Sequence, residues 1–547
     1  MYDWEILSSP ENLESLKEKL IENKLKNFTE EEFYNPPHPV NLLNIKNFDS
    51  ELFESLKKAK EIIFEAVSQN LLILIHGDYD SDGVCATTIL YQTIKNTLNY
   101  PNVFTLIPDR FEDGYGLSDK TVKKLLDLAF NQKFLLITVD CGITSIDQIR
   151  YLKDLGNKVI LTDHHHKPEV TPEADVIVWD DSVVGSTIAW FLALGLGNKD
   201  PKIMSLASIA TVTDVFPLIG FNRSLLKHGL DSLKTNPHLS IETILDFNNK
   251  NYKDISVYEL GFVIGPRLNS SGRIGSADTS LELLNAETRN KAWELVSVIN
   301  EINLQRQKIT EDSLSVLQVD ELNLPKIIIV FNENFHEGVM GLIASKLVQK
   351  YNRPALVVSK NEDKYKGSAR SIKGINIIEI LKNFTADFLS VGGHDMAAGF
   401  SFSPEKYEII KNNIEKHMEI NYQDFNFNKK ITVNARLDSS FINLDLLNFI
   451  GKLEPFGNGN EEPLFCINNL IIKEIRFLGE KKNHVSLILS DSIREFKGLI
   501  FGFDPKLYDL YLGLKIDIAF KIRKNEYRGK TSIDLNIVDL KISNAWI

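Results

Sequence analysis

Cysteine is scarce: three in 547 residues, and none in a CxxC pair. That excludes a disulfide framework and a thiolate zinc site, and it fits a reducing cytoplasm. Long apolar runs are also missing, since no stretch reaches the roughly 18 residues that a membrane span requires. Met1-Tyr-Asp-Trp-Glu lacks the basic start of a signal peptide, so a cytoplasmic protein with no membrane partner is expected. Positive charge is in deficit. The formal net charge of −12 argues against a surface coated in nucleic acid, yet it allows a basic track confined to one groove and a locally acidic metal site.

The chain does hold a dense acidic motif, His76-Gly-Asp78-Tyr-Asp80-Ser-Asp82-Gly83, directly after the apolar run Leu71–Ile75. Three carboxylates this close repel one another unless a cation neutralises them. A strand that ends in such a cluster, followed by a helix, has the pattern of a divalent-metal site on an α/β sheet. The opening also matches an EF-hand loop, but that loop needs Glu at its twelfth position, where Ile89 stands, and a helix where the strand-like run lies.

Four further apolar runs, Val103–Ile107, Phe134–Val139, Val159–Leu161 and Val176–Val178, alternate with amphipathic helical stretches. The alternation predicts a mostly parallel sheet, and motifs that follow its strands gather at its carboxyl edge. Asp140 follows one run, Asp163-His164-His165-His166 follows another, and Asp214 ends a later segment. Histidine and carboxylate donors without thiolate suit Mn²⁺ or Mg²⁺, and two ions are the usual solution for phosphodiester cleavage. Cys85 and Cys141 are expected to be small buried thiols beside the site.

The length calls for three or four domains. The patterns divide the chain into an N-terminal extension (1–50, with a helix from Glu11 to Asn23, packed on the first domain), an α/β domain (51–279) and a connecting helix (280–320). A second α/β domain (321–425) and a strand-rich barrel (426–547) complete it. Gly529-Lys530-Thr531 is not a P-loop, because the earlier glycine of that motif is replaced by Lys524.

His76, Asp80 and Asp82, the lone Asp140, Asp163-His164-His165 and Asp214 resemble the four motifs of the DHH phosphoesterase superfamily. The fuller pattern resembles its RecJ-type branch of single-stranded-DNA-specific exonucleases. It adds Asp78, Pro108-Asp109-Arg110, Gly114-Tyr-Gly116, Gly265-Pro-Arg267-Leu-Asn269, Gly272-Arg273, His336-Glu-Gly338, Gly367-Ser368-Ala-Arg370 and Gly392-Gly393-His394. The resemblance covers about residues 50–540 in order.

That resemblance implies a DHH catalytic domain, a long connecting helix, a DHH-associated domain and a C-terminal barrel like an OB fold. It implies a metal-dependent 5′→3′ exonuclease of DNA repair and recombination that hydrolyses single-stranded DNA to 5′-mononucleotides. His76, Asp78, Asp80, Asp82, Asp140, His164 and Asp214 would hold two Mn²⁺ or Mg²⁺ ions, with Asp140 bridging. Asp163 would orient an imidazole and His165 would face the scissile phosphate. Arg110, Ser368 and Arg370 would hold a terminal 5′-phosphate. Arg267, Asn269 and Arg273 would line the strand's path or tie the domains together. Gly392, Gly393 and His394 would bring a tight backbone turn near the nucleic acid, and Tyr527 with the basic residues from Lys521 to Lys530 would contact it in the barrel. A monomer is expected, working beside single-strand-binding protein and a helicase. Two alternatives use the same fold: an oligonucleotide or cyclic-dinucleotide phosphodiesterase, and a non-catalytic single-strand-binding replication factor.

Overall fold

The computed structural model describes all residues except 1, 26–27, 45–46, 480–481, 504–508, 528–529 and 544–547. Arg528 and Gly529, and the side chains of Tyr527 and Lys530, thus lie outside the described residues. The chain forms two units. One comprises 36–421 with 457–459, and the other comprises 1–35, 422–456 and 460–547.

The larger unit begins with a five-stranded parallel sheet of β1 (Leu72–Gly77), β2 (Val103–Leu106), β3 (Phe134–Val139), β4 (Lys158–Asp163) and β5 (Val176–Trp179). The strand order is β2-β1-β3-β4-β5. Its strands read as continuous apolar runs because both faces are covered. Ile73, Ile75, Leu135 and Ile137 enter one core cluster, while Leu74, Phe134, Leu136 and Leu161 enter another on the opposite face. The order reverses direction between β1 and β3. Such a switch point opens a crevice outside the carboxyl ends of the strands. His76 at the end of β1 and Asp140 just beyond β3 therefore sit at the position where doubly wound sheets bind ligands.

Helices α1 (Ser81–Gln92) and α2 (Gly185–Gly195) pack on this sheet, and α3 (Pro201–Thr213) packs on those two helices. Helix α4 (Gly265–Ile274) leads towards α5 (Arg289–Ser315), a helix of 27 residues that connects to the second sheet. The sequence pattern predicts one helix from about 280. The structure instead breaks it after the short helix Asp278–Leu284, and Thr288 caps the new start by accepting from Lys291 N.

The second sheet contains β6 (Ile328–Phe331), β7 (Ala355–Asn361), β8 (Lys364–Arg370), β9 (Ser390–His394) and β10 (Ala397–Phe402), in the order β9-β10-β8-β7-β6. Only β6 and β7 pair in parallel.

In the smaller unit, strands Phe465–Leu478, His484–Ser490, Glu495–Phe501, Lys530–Ile542 and Lys515–Tyr527 pair in that order. The last returns to the first, closing a five-stranded barrel. One expectation is corrected here. Of the predicted extension 1–50, residues 1–35 belong to this unit, whereas 36–50 belong to the larger one, with Phe48 in its core. Strand Asp3–Ile6 pairs in parallel with Lys430–Val433, Trp4 Nε1 donates to Asp539 Oδ2 at 2.8 Å, and Leu16 and Leu20 of helix Leu13–Leu25 enter the barrel core. A strand of four residues carries too little periodicity to announce a partner more than 400 positions away.

Candidate active site

The loop after β1 turns directly into α1. Asp80 caps that helix, its Oδ1 accepting from Asp82 N at 2.9 Å and Gly83 N at 3.1 Å. Asn269 of α4 braces the same loop by accepting from Ser81 N at 2.8 Å, and Ser81 Oγ donates to Thr213 Oγ1 at 2.6 Å. Asp82 is held from the other side. Its two oxygens accept from Gly185 N and Ser186 N at 2.8 Å each, at the N-terminus of α2, where backbone donors and the helix dipole favour an anion. Gly185 is required there because a Cβ would stand 2.6 Å from the Asp140 side chain. Asp140 itself has φ +60°, the left-handed region that a non-glycine residue adopts at a cost of about 1–3 kcal/mol.

These constraints bring together the acids and imidazoles that the sequence places far apart. Ligand atoms of Asp78, Asp80 and Asp140 lie within 4.8 Å of one another, as do those of Asp82, His164 and Asp214, and those of Asp140, His164 and His165. His164 Nε2 is 3.0 Å from Asp140 Oδ1 and 3.7 Å from Asp82 Oδ2. Asp214 arrives from the C-terminal cap of α3, not from a strand. His76 is fully buried, and its Nδ1 donates to the Leu106 carbonyl at 3.1 Å. Burial pushes it down to about 4, so it is neutral, and the lone pair is left on Nε2. Among the described residues its Nε2 and Asp78 Oδ1 are buried without a hydrogen-bond partner, and Asp140 Oδ1 has only the His164 imidazole beside it.

The electrostatics point the same way. Burial, reinforced by neighbouring carboxylates, holds Asp78 and Asp140 well above the usual carboxylate range and raises Asp80. Burial and the charge of Asp82 push Asp214 up to about 8. Orphaned acceptors, crowded carboxylates and an oxygen–nitrogen donor set fit hard divalent cations. Sulfur takes no part. Cys85 and Cys141 are buried, which raises both thiols well above their ordinary value, and Cys141 Sγ donates to the His76 carbonyl.

Asp163 stands behind the cluster. Its Oδ1 accepts from His164 N, His165 N and His165 Nδ1, and its Oδ2 accepts from Ile143 N. Burial works against the His165 cation, but the bond and charge of Asp163, with Asp78 and Asp80, carry it up to about 9. The imidazolium also donates through Nε2 to the Tyr115 hydroxyl oxygen at 3.0 Å. Asp163→Asn removes a charge-assisted bond of about 1.5–3 kcal/mol, so His165 in the metal-free protein should titrate roughly one to two pH units lower, as followed by NMR. An unchanged titration would contradict this role for Asp163.

Beside the acidic cluster lies a basic one. Arg370 Nη1 donates to Ser368 Oγ at 3.2 Å, and Arg110 Cζ stacks 5.0 Å above the Tyr79 ring. Burial and the charge of Arg110 lower Arg370, and burial with Arg110 and other charges lowers Arg273 to about 10. Among the described residues none of these three guanidinia forms an ion pair, so an anion has room to join them. The 3-10 turn Glu337–Val339, which follows β6, is seated tightly against Arg273, since a Cβ on Gly338 would stand 1.7 Å from the Arg273 carbonyl oxygen.

Other predicted site residues fall elsewhere. Arg267 is engaged within the fold, donating to the Val263 carbonyl and to Asn248 and Asn300, so it ties α4 to α5. Asn269 braces the acidic loop, as described. Gly392, Gly393 and His394 form no tight turn; they lie in the exposed edge strand β9, and the chain reverses at Asp395-Met396. Hairpin pairing overrides the local turn signal of paired glycines there. Sequence motifs also missed Gly185, Ser186, Tyr79 and Tyr115 as supports of the site. The backbone donors of Gly185 and Ser186 leave no signature beyond a glycine and a serine at a helix start.

Family models match the chain in order: the DHH family N-terminal domain over residues 72–212, the DHHA1 domain over 324–419 and the RecJ OB domain over 433–539. The single-stranded-DNA-specific exonuclease RecJ of Thermus thermophilus is 30% identical over 507 residues, covering 90% of this chain and 72% of that protein. The RecJ of Haemophilus influenzae is 29% identical over 88% of this chain and 89% of its own length. The RecJ of Bacillus subtilis is 29% identical over 91% of this chain, which spans 64% of the length of that relative. The crystal structure of RecJ in complex with Mn²⁺ from Thermus thermophilus matches with a TM-score of 0.83 at 27% identity, covering 99% of this chain and 80% of that one.

Proposed function

The chain belongs to the RecJ family of single-stranded-DNA-specific exonucleases, and on that premise we propose that it is a divalent-metal-dependent nuclease degrading single-stranded DNA from the 5′ end to 5′-mononucleotides. The observation that carries this reading is the juxtaposition of two opposite charge clusters. The buried carboxylate–imidazole group, with orphaned acceptors on His76 and Asp78, borders Arg110, Arg273 and Arg370, which lack ion-pair partners among the described residues.

His76, Asp78, Asp80, Asp82, Asp140, His164 and Asp214 would hold two Mn²⁺ or Mg²⁺ ions, which when bound supply an activated water and neutralise charge on the phosphate. The chain's own groups do the rest. Arg110, Ser368 and Arg370 bind the terminal 5′-phosphate, for which a planar guanidinium fork is suited. Asp163 keeps His165 protonated and fixed, so that its positive charge faces the scissile phosphate. The basic cluster offers a seat for one terminal phosphate; that this is the 5′ phosphate is the polarity that the family resemblance implies. Work in DNA repair and recombination in the cytoplasm, beside single-strand-binding protein and a helicase, accords with this activity. Among the described residues no helix is long and apolar enough to cross a membrane.

The purified protein with Mn²⁺ or Mg²⁺ should convert a 5′-labelled single strand at once to labelled mononucleotide, while a 3′-labelled strand shortens progressively. Release of the 3′ label first, or digestion of dinucleotides alone, would overturn the proposal.

A further inference from the structure

Helix α2 starts at the acidic cluster, where Gly185 and Ser186 hold Asp82, and its last residues line a hollow of about 490 Å³. Leu43, Phe53, Leu56, Leu192 and Leu194 form apolar walls, and a second hollow of about 410 Å³ shares Leu43 and Phe53 with the first. Lys57, Lys60 and Lys199 also line the first hollow, whose lining includes no carboxylate. Among the described residues none of these three lysines forms an ion pair. In a chain of net charge −12, three unpaired cations around an apolar hollow are an exception.

One side of this groove is helix Ser50–Ser68. It carries Phe53, Leu56, Lys60 and Phe64 three or four positions apart, so these side chains form a ridge along it. Another face of the same helix, with Leu52, Ala59, Ile62, Ile63 and Ala66, is buried in the core. The ridge is left open. Phe64 is 43% exposed, with Lys60 Nζ 5.7 Å from its ring centroid, and Phe53 and Leu56 are half-buried. The helix thus has one apolar face for the core and a second, lysine-edged one that the chain itself does not cover.

The walls select the occupant. Their residues come from helix Ser50–Ser68, α2, the 3-10 helix Pro39–Leu42 and adjoining loops, and none from a strand. An extended peptide finds no sheet edge to pair with there, whereas a helix satisfies its own backbone. A fatty-acyl chain brings a single carboxylate to three lysines. A nucleic-acid strand seeks exposed rings for its bases, and these walls are mostly aliphatic. An acidic amphipathic helix matches the apolar hollows and the lysines together.

We propose that this groove docks a short acidic amphipathic helix of a partner protein, its apolar side chains filling the two hollows and its carboxylates paired with Lys57, Lys60 and Lys199. The ridge from Phe53 to Phe64 runs about 16 Å, roughly three helical turns, which sets the length of helix engaged. Helix α2 has 11 residues, so its two ends stand about 16 Å apart, and an occupant at one end leaves the acidic cluster at the other open. The groove therefore tethers the protein to a partner without blocking its site. This docking goes beyond the nuclease reading and stands without it.

The test measures fluorescence anisotropy of labelled peptides of about four helical turns with the full-length protein. One peptide carries Leu along one face with Glu on its flanks, a second has Lys in place of every Glu, and a third scatters the same Leu residues around the helix. The first should bind, and the other two should bind roughly tenfold or more weakly. The combined variant Lys57→Glu, Lys60→Glu and Lys199→Glu should lose roughly tenfold or more on the first peptide, the change expected when three exposed ion pairs are reversed. It should gain affinity for the Lys peptide by the same charge logic. None of the three lysines is buried, so the variant should keep the wild-type thermal midpoint. Cleavage of a naked single strand should be unchanged by saturating acidic peptide. Equal affinity for all three peptides, or undiminished binding of the acidic one by the variant, would overturn the inference. So would capture of oligothymidine or phosphatidylglycerol vesicles through these lysines with no binding of the acidic peptide, because the surface would then belong to nucleic acid or membrane.

Discussion

Asp140→Asn should raise the thermal midpoint of the metal-free protein while abolishing both its stabilisation by Mn²⁺ and the cleavage of single strands. Asp140 is buried, its Oδ1 meets only the His164 imidazole among the described residues, and the charges of Asp82, Asp80, Asp78 and Asp214 bear on it. Without a cation the fold must either keep a proton on this group or tolerate the repulsion, and an amide removes that burden. Each kcal/mol relieved should lift Tm by about 1 °C in a unit of this size, since unfolding entropy is roughly 2 cal/mol/K per residue. The same change removes a central anionic donor, so kcat/KM should fall by at least roughly 10²–10³-fold, the loss typical of one charge-stabilising group. A metal-free Tm below that of the wild type would mean that Asp140 is satisfied by something other than a cation.

The repulsion has a pH signature, most readable at Asp214. In the fold this group keeps its proton up to about pH 8, whereas an unfolded chain surrenders it near pH 3.9. The folded pKa is raised, so the stability it contributes is full below about pH 4 and is lost as pH rises towards about 8. In EDTA, Asp214→Asn should therefore gain on the wild type as pH rises from 5 to 8. Saturating Mn²⁺ should reverse that order, and its binding should release protons below pH 8. Calorimetry in two buffers of different ionisation enthalpy checks the proton release.

Arg370→Ala carries the second large effect, and it is selective. On 5′-phosphorylated strands kcat/KM should drop by about 30-fold or more, the result of leaving a bound charge without its partner. On 5′-hydroxyl strands it should change only a few-fold, since there is no terminal dianion to lose. Arg370→Lys should restore little of the preference, because a point charge lacks the fork that donates to two phosphate oxygens. The fold should not suffer. Arg370 faces the like charge of Arg110 and has no ion-pair partner among the described residues, so its removal relieves strain in the apo protein. Equal losses on both kinds of strand would place Arg370 outside the phosphate site.

Much of this site is legible in one dimension. Strands β1 and β3 are buried on both faces, so each appears as an unbroken apolar run, and the residues after each run fall on the carboxyl edge of a parallel sheet. The carboxylates and imidazoles of a hard-cation site are equally visible, because no other side chains do that chemistry. What stayed hidden depends on partners distant in the chain. Strand Asp3–Ile6 forms a two-stranded sheet with a strand that begins at Lys430, and Gly392-Gly393 becomes an edge strand only because Ala398 and Gly399 lie opposite. The donors to Asp82 are backbone groups of Gly185 and Ser186, which no side-chain pattern reports. Residue type and hydrophobic period determined the sheet, the cation chemistry and the order of domains, because those follow from each segment's own burial and charge. Tertiary structure alone decided which acids share an ion, which arginines remain unpaired and where a lysine-edged groove lies open, because those depend on distances between segments that the chain itself keeps far apart.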